Sequence, residues 1–456
     1  RSNWLRDKGN LFALNLDHKF NPSAEFNLRV FGLSAYRYAL GFRPNRVATI
    51  DDGSDRELIK GIFQNWRAEP RLLKRYSVKK IPSVLLIGSR YFQGYNQSTQ
   101  GMGSTGSSPD FSYPSGDEYI TYQYQFPSQN TSVFVENIFY LTDKFSVTPG
   151  FRLEHFRTEA EGFYGNIYRD LAGNIIERTQ TAEYRDNARH FMIAGLGLSY
   201  KPGAHAEIYS NVSQNYRSIT FSDMRISNPS SVIDPSLSDE RGYSIDVGIR
   251  SEQTVLISYD LNYFRLNYDN RIGEIQFYDE YNRVLRLRSN IGRAVIQGIE
   301  SYIESDILKI LRNDAEAWSG VAFLNAAFIR SRYVESQIAG VKGREVEFVP
   351  AINMKSGFRV AYRDAQLSVQ HTYLSKQFSD ATNAIDGGVS GIVGVIPSYG
   401  VMDASVSYRF KKFKIEGSVN NVANRAYFTR RATGYPGPGI LPSDGRSFYL
   451  TLQAKL

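Results

Sequence analysis

The sequence predicts an all-β protein whose strands form one up-and-down antiparallel β-barrel across a membrane. Three observations predict this fold. Apolar and polar residues alternate in many segments, tight turns alternate with long connections, and no apolar run approaches the roughly 18 residues of a membrane helix. The aromatic fraction of 14% and the 37 glycines suit strands that have one apolar face and are joined by turns.

The alternation has a period of two and gives each segment one apolar and one polar face. In residues 402–410 the even positions are apolar or small, and the odd positions 403–409 are polar. Residues 204–212, 243–250 and 447–456 repeat the pattern. A soluble β-sandwich also alternates in this way, so this observation alone leaves both architectures open.

The order of the connections favours the barrel. Tight turns are predicted at residues 21–24, 79–82, 142–144, 201–204, 250–254, 363–365 and 411–412. Long connections fall between them, at residues 41–60, 96–122, 158–186, 217–238, 269–283, 332–347, 377–398 and 424–444. Strict alternation places all long loops at one end of a barrel, whereas a Greek-key sandwich would mix the two kinds.

One connection departs from this order. Residues 306–316 take the place of a tight turn but are longer, and they carry the apolar residues Ile307, Leu308, Ile310 and Leu311. This composition is typical of a helical turn, for which the barrel pattern gives no role.

The strand count bears on what the chain represents. Roughly 17 strands are predicted, whereas single-chain bacterial barrels have even numbers of strands. We therefore expect the first strands to precede Arg1, which also accounts for the polar residues 1–10, where a secretory signal would be apolar.

Several classes of function are disfavoured by composition. Cysteine is absent, so no disulfide or thiolate metal site can form. The net charge of +8 is spread along the chain without a basic cluster, and we expect no nucleic-acid partner. No Gly-x-Ser-x-Gly motif is present, and we expect no enzyme activity and no cofactor. The five histidines are isolated in the sequence, without metal-ligand spacing: His18, His155, His190, His205 and His371.

Two glycine- or aspartate-rich segments resemble known ligand motifs only formally. Residues 101–106 (GMGSTG) fit the spacing of a dinucleotide fingerprint but lack a surrounding βαβ pattern, so a loop is expected. Residues 51–55 (DDGSD) resemble half a calcium loop without its distal glutamate, and a solvated turn is expected there.

Arginines recur near the ends of the long connections and are the candidate ligand-binding residues. The set is Arg90, Arg217, Arg225, Arg430 and Arg431. A guanidinium group can hold a carboxylate through two parallel hydrogen bonds, and a concave vestibule would concentrate its field on an anion. The alternative is that each arginine pairs with a neighbouring Asp or Glu, or with lipopolysaccharide.

Several segments resemble the TonB-dependent receptors of the outer membrane. Residues 134–139 (FVENIF) and 141–152 (LTDKFSVTPGFR) are similar to a signature hairpin of that family. Residues 233–240, 419–428 (VNNVANRAYF), 434–439 and 445–448 are similar to its later strands and loops. Residues 86–92 (LIGSRYF) and 100–111 resemble the ferric dicitrate branch.

The resemblance implies a fold, a location and a function. Residues 1–456 would be the C-terminal part of a barrel of about 22 strands, whose wide lumen is closed by a plug. The plug and the first strands lie outside this sequence. The protein would sit in the bacterial outer membrane, contact its lipid and lipopolysaccharide, and take up an iron chelate with energy from a TonB-type complex acting through the plug.

The chelate implied most directly is ferric dicitrate, an anionic ligand rather than a cofactor. Its candidate binding residues are Arg90, Gln100, Arg217, Arg430 and Arg431. Alternatives within transport are haem, another siderophore or another metal chelate. Alternatives outside it are a passive porin and a soluble carbohydrate-binding β-protein.

Overall fold

The structure is a computed structural model, and it describes most of the chain. The residues described are 3–42, 51, 53, 55–114, 120–165, 167–170, 174–220, 223, 231–251, 257–278, 284–311, 317–387, 391–432 and 439–455.

Within the described residues, seventeen strands of 8 to 23 residues form the wall of the molecule. Strands are numbered along the chain, and those of the wall are β1 (Trp4–Asn21), β2 (Ala24–Gly41), β3 (Glu57–Val78), β4 (Ile81–Met102), β5 (Ile120–Tyr140), β6 (Phe145–Tyr164), β9 (Thr181–Gly203), β10 (Ala206–Arg217), β12 (Glu240–Ser251), β13 (Ile257–Tyr278), β14 (Val284–Asp306), β15 (Trp318–Glu335), β16 (Ile352–Tyr362), β17 (Ala365–Leu374), β20 (Tyr399–Phe410), β21 (Phe413–Asn420) and β24 (Ser447–Ala454).

Short strands lie at the loop end of the wall, and a short helix lies at one turn. The remaining strands are β7 (Ile167–Arg169), β8 (Ile175–Arg178), β11 (Ser231–Ile233), β18 (Gln377–Phe378), β19 (Val395–Ile396), β22 (Phe428–Ala432) and β23 (Gly439–Pro442). Three pairs form small antiparallel ribbons, and β11 joins the main sheet parallel to β14, which makes it an 18-stranded sheet. The one helix of the described residues, Ile307–Leu311, follows β14.

Each wall strand pairs antiparallel with the wall strands before and after it in the chain, as expected for an up-and-down barrel. The two outermost strands are exceptions, because β1 pairs only with β2 and β24 only with β21 among the described residues. In the part of the chain that the structure describes, the wall therefore has two edges without a paired strand.

The tight turns that fall on described residues lie where the sequence predicts them, while residues 252–254 of the predicted turn 250–254 lie outside the described part of the chain. Lys79 and Lys80 join β3 to β4 with φ of 48° and 73°, which matches the two-residue turn that follows the twist of paired strands. Between β5 and β6 the hydroxyl of Thr142 accepts hydrogen bonds from the backbone N–H groups of Lys144 and Phe145. The expected helical turn within residues 306–316 is also confirmed, as far as its described part extends.

Several predicted long connections are wrong in extent, because strands continue into them. For example, β4 continues to Met102 in the predicted connection 96–122, and β13 continues to Tyr278 in 269–283. Both strands stay paired in these stretches, so backbone hydrogen bonding extends them where the polar composition had indicated loops.

The exposed face of the wall is its apolar face. Along β20 the outward Met402, Val406, Tyr408 and Phe410 are 39–59% exposed, whereas the inward Ser407 is 8% exposed. A soluble protein would bury the first set and expose the second. The confirmed alternation therefore describes a wall that turns its apolar side chains to the surroundings and its polar ones to the lumen, as membrane barrels do.

The buried apolar clusters lie at the loop end of the lumen. One joins Tyr122 and Tyr124 of β5 to Ile219 and Leu237 of the connection between β10 and β12. The other joins Phe264 and Tyr333 to loop residues that include Val341. The long loops therefore fold into the mouth of the barrel.

Among the described residues, no helix has the length and hydropathy needed to span a membrane.

Candidate functional site in the barrel lumen

A cleft rich in arginine lies on the lumen face of strands β3 to β10. We call it the arginine cleft; it has a volume of about 280 Å³. It is lined by Arg67, Arg90, Phe92, Asn130, Arg152, Glu154, Phe156, Phe191, Ile193, Tyr216 and Ser218. Inward-pointing positions recur every second residue, so Arg67, Glu69 and Arg71 of one strand reach the same face.

Glu69 organises one side of this cleft. It is 3% exposed, and it accepts hydrogen bonds from Arg71 and, at 2.5 Å, from Nε of Arg90. On the opposite side Arg152 pairs with Glu154 and donates to the hydroxyl of Ser132 at 2.9 Å. Both carboxylates are thus satisfied by arginine.

Arg67 differs from the other arginines of this group. Among the described residues, no carboxylate pairs with it. Its guanidinium lies 5.6 Å from the centre of the Phe31 ring, a cation–π distance. Because Arg67, Arg71, Arg90 and Arg152 face only Glu69 and Glu154, the cleft keeps an excess of two positive charges. A low-dielectric wall strengthens the attraction of such charges for an anion.

A second, polar cleft of about 470 Å³ lies inside the loop end of the last strands. We call it the loop cleft; its lining includes Asp403, Asn420, Tyr427, Arg430, Asp444 and Tyr449. Arg430 is within the lining and forms no ion pair with any described residue. It is therefore a guanidinium that a ligand can reach.

Arg217 is held by two buried carboxylates. It donates to Glu240 at 2.8 Å and to both oxygens of Asp223 at 3.0 and 3.1 Å. Asp223 is fully buried and also pairs with Arg288 at 2.6 Å. This network ties the connection after β10 to β12 and β14, which is a structural role.

Gln100 and Arg431 also have internal partners. Gln100 is 7% exposed and donates to Glu57 across the β3–β4 pair at 2.6 Å. Arg431 donates to the carbonyls of Gly391 and Val395 at 3.0 Å each, and burial lowers its pKa below the ordinary value. Arg431 thereby fastens one loop to another.

The structure does not gather the five predicted residues into one place. The arginine cleft contains Arg90 and the loop cleft contains Arg430. The other three, Gln100, Arg217 and Arg431, form hydrogen bonds to neighbouring segments of the chain. The expectation that Arg90 lies near a loop end is wrong, because it stands in the middle of the 22-residue strand β4. Arg225 lies outside the described residues. The role of the five in ligand binding stays a prediction.

Sequence reasoning missed Arg67. The signal was present, since residues 67, 69 and 71 place two arginines and a glutamate on one face of a strand at a spacing of two. The loop expected for residues 101–106 is confirmed only in part: Gly101 and Met102 belong to strand β4, and the chain leaves the strand after them, with φ of +76° at Gly106. Residues 52 and 54 of the aspartate-rich segment lie outside the described part of the chain.

Strand register brings together two histidines that are isolated in the sequence. His155 of β6 faces His190 of β9, with their Nδ1 atoms 3.2 Å apart. They share the outward face with Leu153 and Met192, so they do not line the lumen. Within the described ranges, no three His, Asp or Glu side chains are grouped to hold a metal ion.

Comparison with known proteins identifies the family. The model of the family described as TonB dependent receptor-like, beta-barrel, matches residues 1–422. None of the curated proteins is significantly similar in sequence.

Solved structures share the fold at low sequence identity. The unliganded ferric citrate transporter FecA has a TM-score of 0.73 and 16% identity over 99% of this chain and 62% of its own. The copper transporter OprC has 0.70 and 12%, over 99% and 65%. The pyoverdine outer membrane receptor FpvA from Pseudomonas aeruginosa PAO1 has 0.67 and 13%, over 99% and 62%.

The chain thus spans less than two thirds of the length of each of these proteins. At such identities the similarity shows the fold alone, and the three named cargoes differ. The family match covers most of the residues, and the wall strands have the predicted up-and-down antiparallel order. The chain therefore belongs to the family of TonB dependent receptor-like β-barrels.

Proposed function

We propose that this chain is the C-terminal part of the barrel of an outer-membrane receptor that takes up an anionic iron chelate, with ferric dicitrate as the first candidate. The observation that carries the proposal is the excess of positive charge on the lumen side of the arginine cleft. Carboxylate-rich chelates are bound best by guanidinium groups, which offer paired donors in one plane.

Two guanidinium groups suit this role more than the other candidates. Arg67 and Arg430 each line a cleft and have no carboxylate partner among the described residues. Arg90 lines the same cleft as Arg67, but a ligand would compete with Glu69 for its guanidinium group. Arg217, Gln100 and Arg431 would first have to leave their present partners.

The free edges support the proposal that further strands complete the wall. An edge strand of 18 residues such as β1 exposes a row of backbone hydrogen-bonding groups, which in a bilayer must be paired. Energy would reach the barrel through a TonB-type complex acting on a plug. The apolar outer face would contact outer-membrane lipid and lipopolysaccharide.

The test is ligand binding to the receptor expressed from its complete gene and refolded in detergent. Ferric dicitrate, haem and a ferric hydroxamate are titrated separately, and binding is followed by calorimetry. Selective, saturable binding of ferric dicitrate is expected. Selective binding of another chelate would overturn the substrate, and conductance without binding of any chelate would favour a porin.

The same titration tests the residues. Arg67→Ala together with Arg90→Ala should weaken ferric dicitrate binding by about tenfold or more, since a hydrogen bond to a charged group contributes about 1.5–3 kcal/mol. Arg409→Ala is the matched control, because Arg409 lies at the turn end of β20 and lines neither cleft. Unchanged affinity in the double variant would remove the arginine cleft from the binding site. The double variant Arg90→Ala with Arg217→Ala tests two of the candidates named from the sequence in the same way.

A further inference from the structure

The helix Ile307–Leu311 borders an apolar groove on the outward face of the wall. We call it the turn groove; its volume is about 470 Å³, within the range of small-ligand sites. Its lining is almost entirely apolar: Ile307, Leu308, Trp318, Gly320, Val321, Ala322, Phe358 and Val360. It lies beside the connection between β14 and β15, at the end of the molecule that carries the tight turns.

Strand register places the groove on the face that would meet lipid. Phe328 pairs with Ile299, and both are outward, 56% and 55% exposed. Counting in twos along β15 from Phe328 brings Ala322, Gly320 and Trp318 to the same face. The groove is therefore continuous with the apolar belt of the barrel.

The helix is packed against the wall by a glycine and an aspartate. A Cβ atom on Gly320 would lie 2.4 Å from Cγ of Leu308, so only glycine permits this approach. Asp306, 9% exposed, accepts hydrogen bonds from the backbone N–H groups of Lys309 and Gly320 at 3.2 and 3.3 Å. The helix thus has a fixed position and forms one bank of the groove.

The helix leaves apolar side chains uncovered. Ile307, Ile310 and Leu311 are 44%, 49% and 72% exposed. In water these side chains would forgo the stabilisation of about 25 cal/mol that burial gives for each Å² of apolar surface. In a bilayer the same side chains are in contact with acyl chains and carry no such cost.

The open end of the groove has the side chains of a membrane–water boundary. The rings of Trp318 and Tyr362 lie 4.5 Å apart, and aromatic pairs of this kind favour the headgroup level. The guanidinium of Arg363, in the turn between β16 and β17, lies 5.3 Å from the Tyr362 ring. Lys309, in the helix after β14, is half exposed and lies 3.7 Å from Asp306. Two cations therefore stand next to an apolar groove.

We propose that the turn groove binds one anionic glycerophospholipid of the periplasmic leaflet, with an acyl chain along Leu308, Ala322 and Phe358 and its phosphate near Arg363 and Lys309. An apolar groove with a cation on each of the two neighbouring connections matches a lipid tail joined to an anionic headgroup. The proposal rests on the proposed outer-membrane location, because the turn end must face the periplasm.

The experiment compares lipids bound to the receptor by native mass spectrometry, after incubation in detergent with equal amounts of phosphatidylglycerol and phosphatidylcholine. The wild type should retain one phosphatidylglycerol in preference to phosphatidylcholine. Ala322→Trp, which fills the groove, should abolish this retention. Val406→Trp, on the outward face of β20, is the matched control and should keep it.

A second variant tests the headgroup contacts without altering the groove. Lys309→Gln with Arg363→Gln should reduce the preference for phosphatidylglycerol roughly 30-fold, because each of the two basic side chains contributes about 1 kcal/mol near an anionic surface. Equal retention of the two lipids by the wild type would overturn the proposal. So would undiminished retention in both Ala322→Trp and the double variant.

Two further readouts separate this proposal from the proposed function. Chelate binding should be unchanged in the groove variants, because the groove lies outside the lumen. Insertion into liposomes, followed by flotation, tests the membrane location by itself. A receptor that inserts and binds its chelate but retains no phosphatidylglycerol would contradict only the lipid site, whereas failure to insert would contradict the location.

Discussion

Nε of Arg90 lies 2.5 Å from Oε2 of Glu69, a carboxylate that is only 3% exposed. Glu69 also accepts a hydrogen bond from Arg71, so one buried acid holds two arginines on the lumen face. The pairing makes Arg90 either a ligand-binding group held in place by Glu69 or a purely structural partner. Substitution of Glu69 separates these two roles.

Glu69→Gln should raise the affinity for an anionic chelate if Arg90 binds it. The amide keeps the shape but removes a charge that competes with the ligand, and an increase of about fivefold is expected. Stability should fall by about 1–3 kcal/mol, because two arginines lose their charged partner while remaining one-third exposed. Calorimetry gives the affinity and guanidinium titration of the refolded barrel gives the free energy of unfolding. If Glu69→Gln and Arg90→Ala both destabilise the barrel without changing affinity, Arg90 is structural.

Gly320→Ala should loosen the helix Ile307–Leu311. The new Cβ atom would meet Leu308 at 2.4 Å, and such overpacking costs about 1–3 kcal/mol. The nearby Trp318 should report the change by a shifted fluorescence maximum in a background in which the receptor's other tryptophans, including Trp4 and Trp66, are replaced by Phe. Gly417→Ala is the control, because Gly417 pairs with outward-facing Val406 and has open space around its Cβ position. Equal effects of the two substitutions would show that Leu308 does not pack on Gly320.

Arg431→Lys should free the loop that the arginine holds. A lysine ammonium cannot reproduce two donors in one plane, so the bonds to Gly391 and Val395 cannot both form. Thermolysin should then cleave this loop at least several times faster than in the wild type. Arg430→Lys, one residue earlier in β22, should leave cleavage unchanged and instead lower chelate affinity. Faster cleavage in both variants would contradict the division of roles between the two arginines.

Acid should release β11 from the wall. Hydrogen bonds from Ser236 and Ser289 lower the pKa of Asp234 below its ordinary value of 3.8. The carboxylate therefore stabilises the loop fully above pH 3.8, and this contribution is lost as the pH falls through the lowered pKa. Hydrogen-exchange protection of Ser231–Ile233, corrected for intrinsic rates, should therefore decrease as the pH falls from 5 to 2.

Asp234→Asn is the control for the acid effect. The amide cannot change its charge in this range, so protection should be lower at neutral pH and nearly constant on acidification. Loss of protection on acidification that is equally large in the variant would assign the effect to another group.

The sequence by itself determined the architecture of the barrel. Alternation in residues 402–410 and the turns at Lys79–Lys80 and Thr142 are local properties, because a strand presents every second side chain to one face and a turn depends on a few neighbouring residues. Even the helix after Asp306 was visible as a break in the pattern.

Only the tertiary structure decided which polar side chains are available to a ligand. Arg90 pairs with a carboxylate 21 residues earlier in the chain, and Arg217 with one 23 residues later. Arg431 donates to a carbonyl 40 residues earlier. Strand register and loop packing bring these partners together. The same register brings His155 against His190 and folds Leu308 over Gly320. Periodicity fixes the face that a side chain occupies, but its partners depend on how far each strand slides against the next, which no local pattern records.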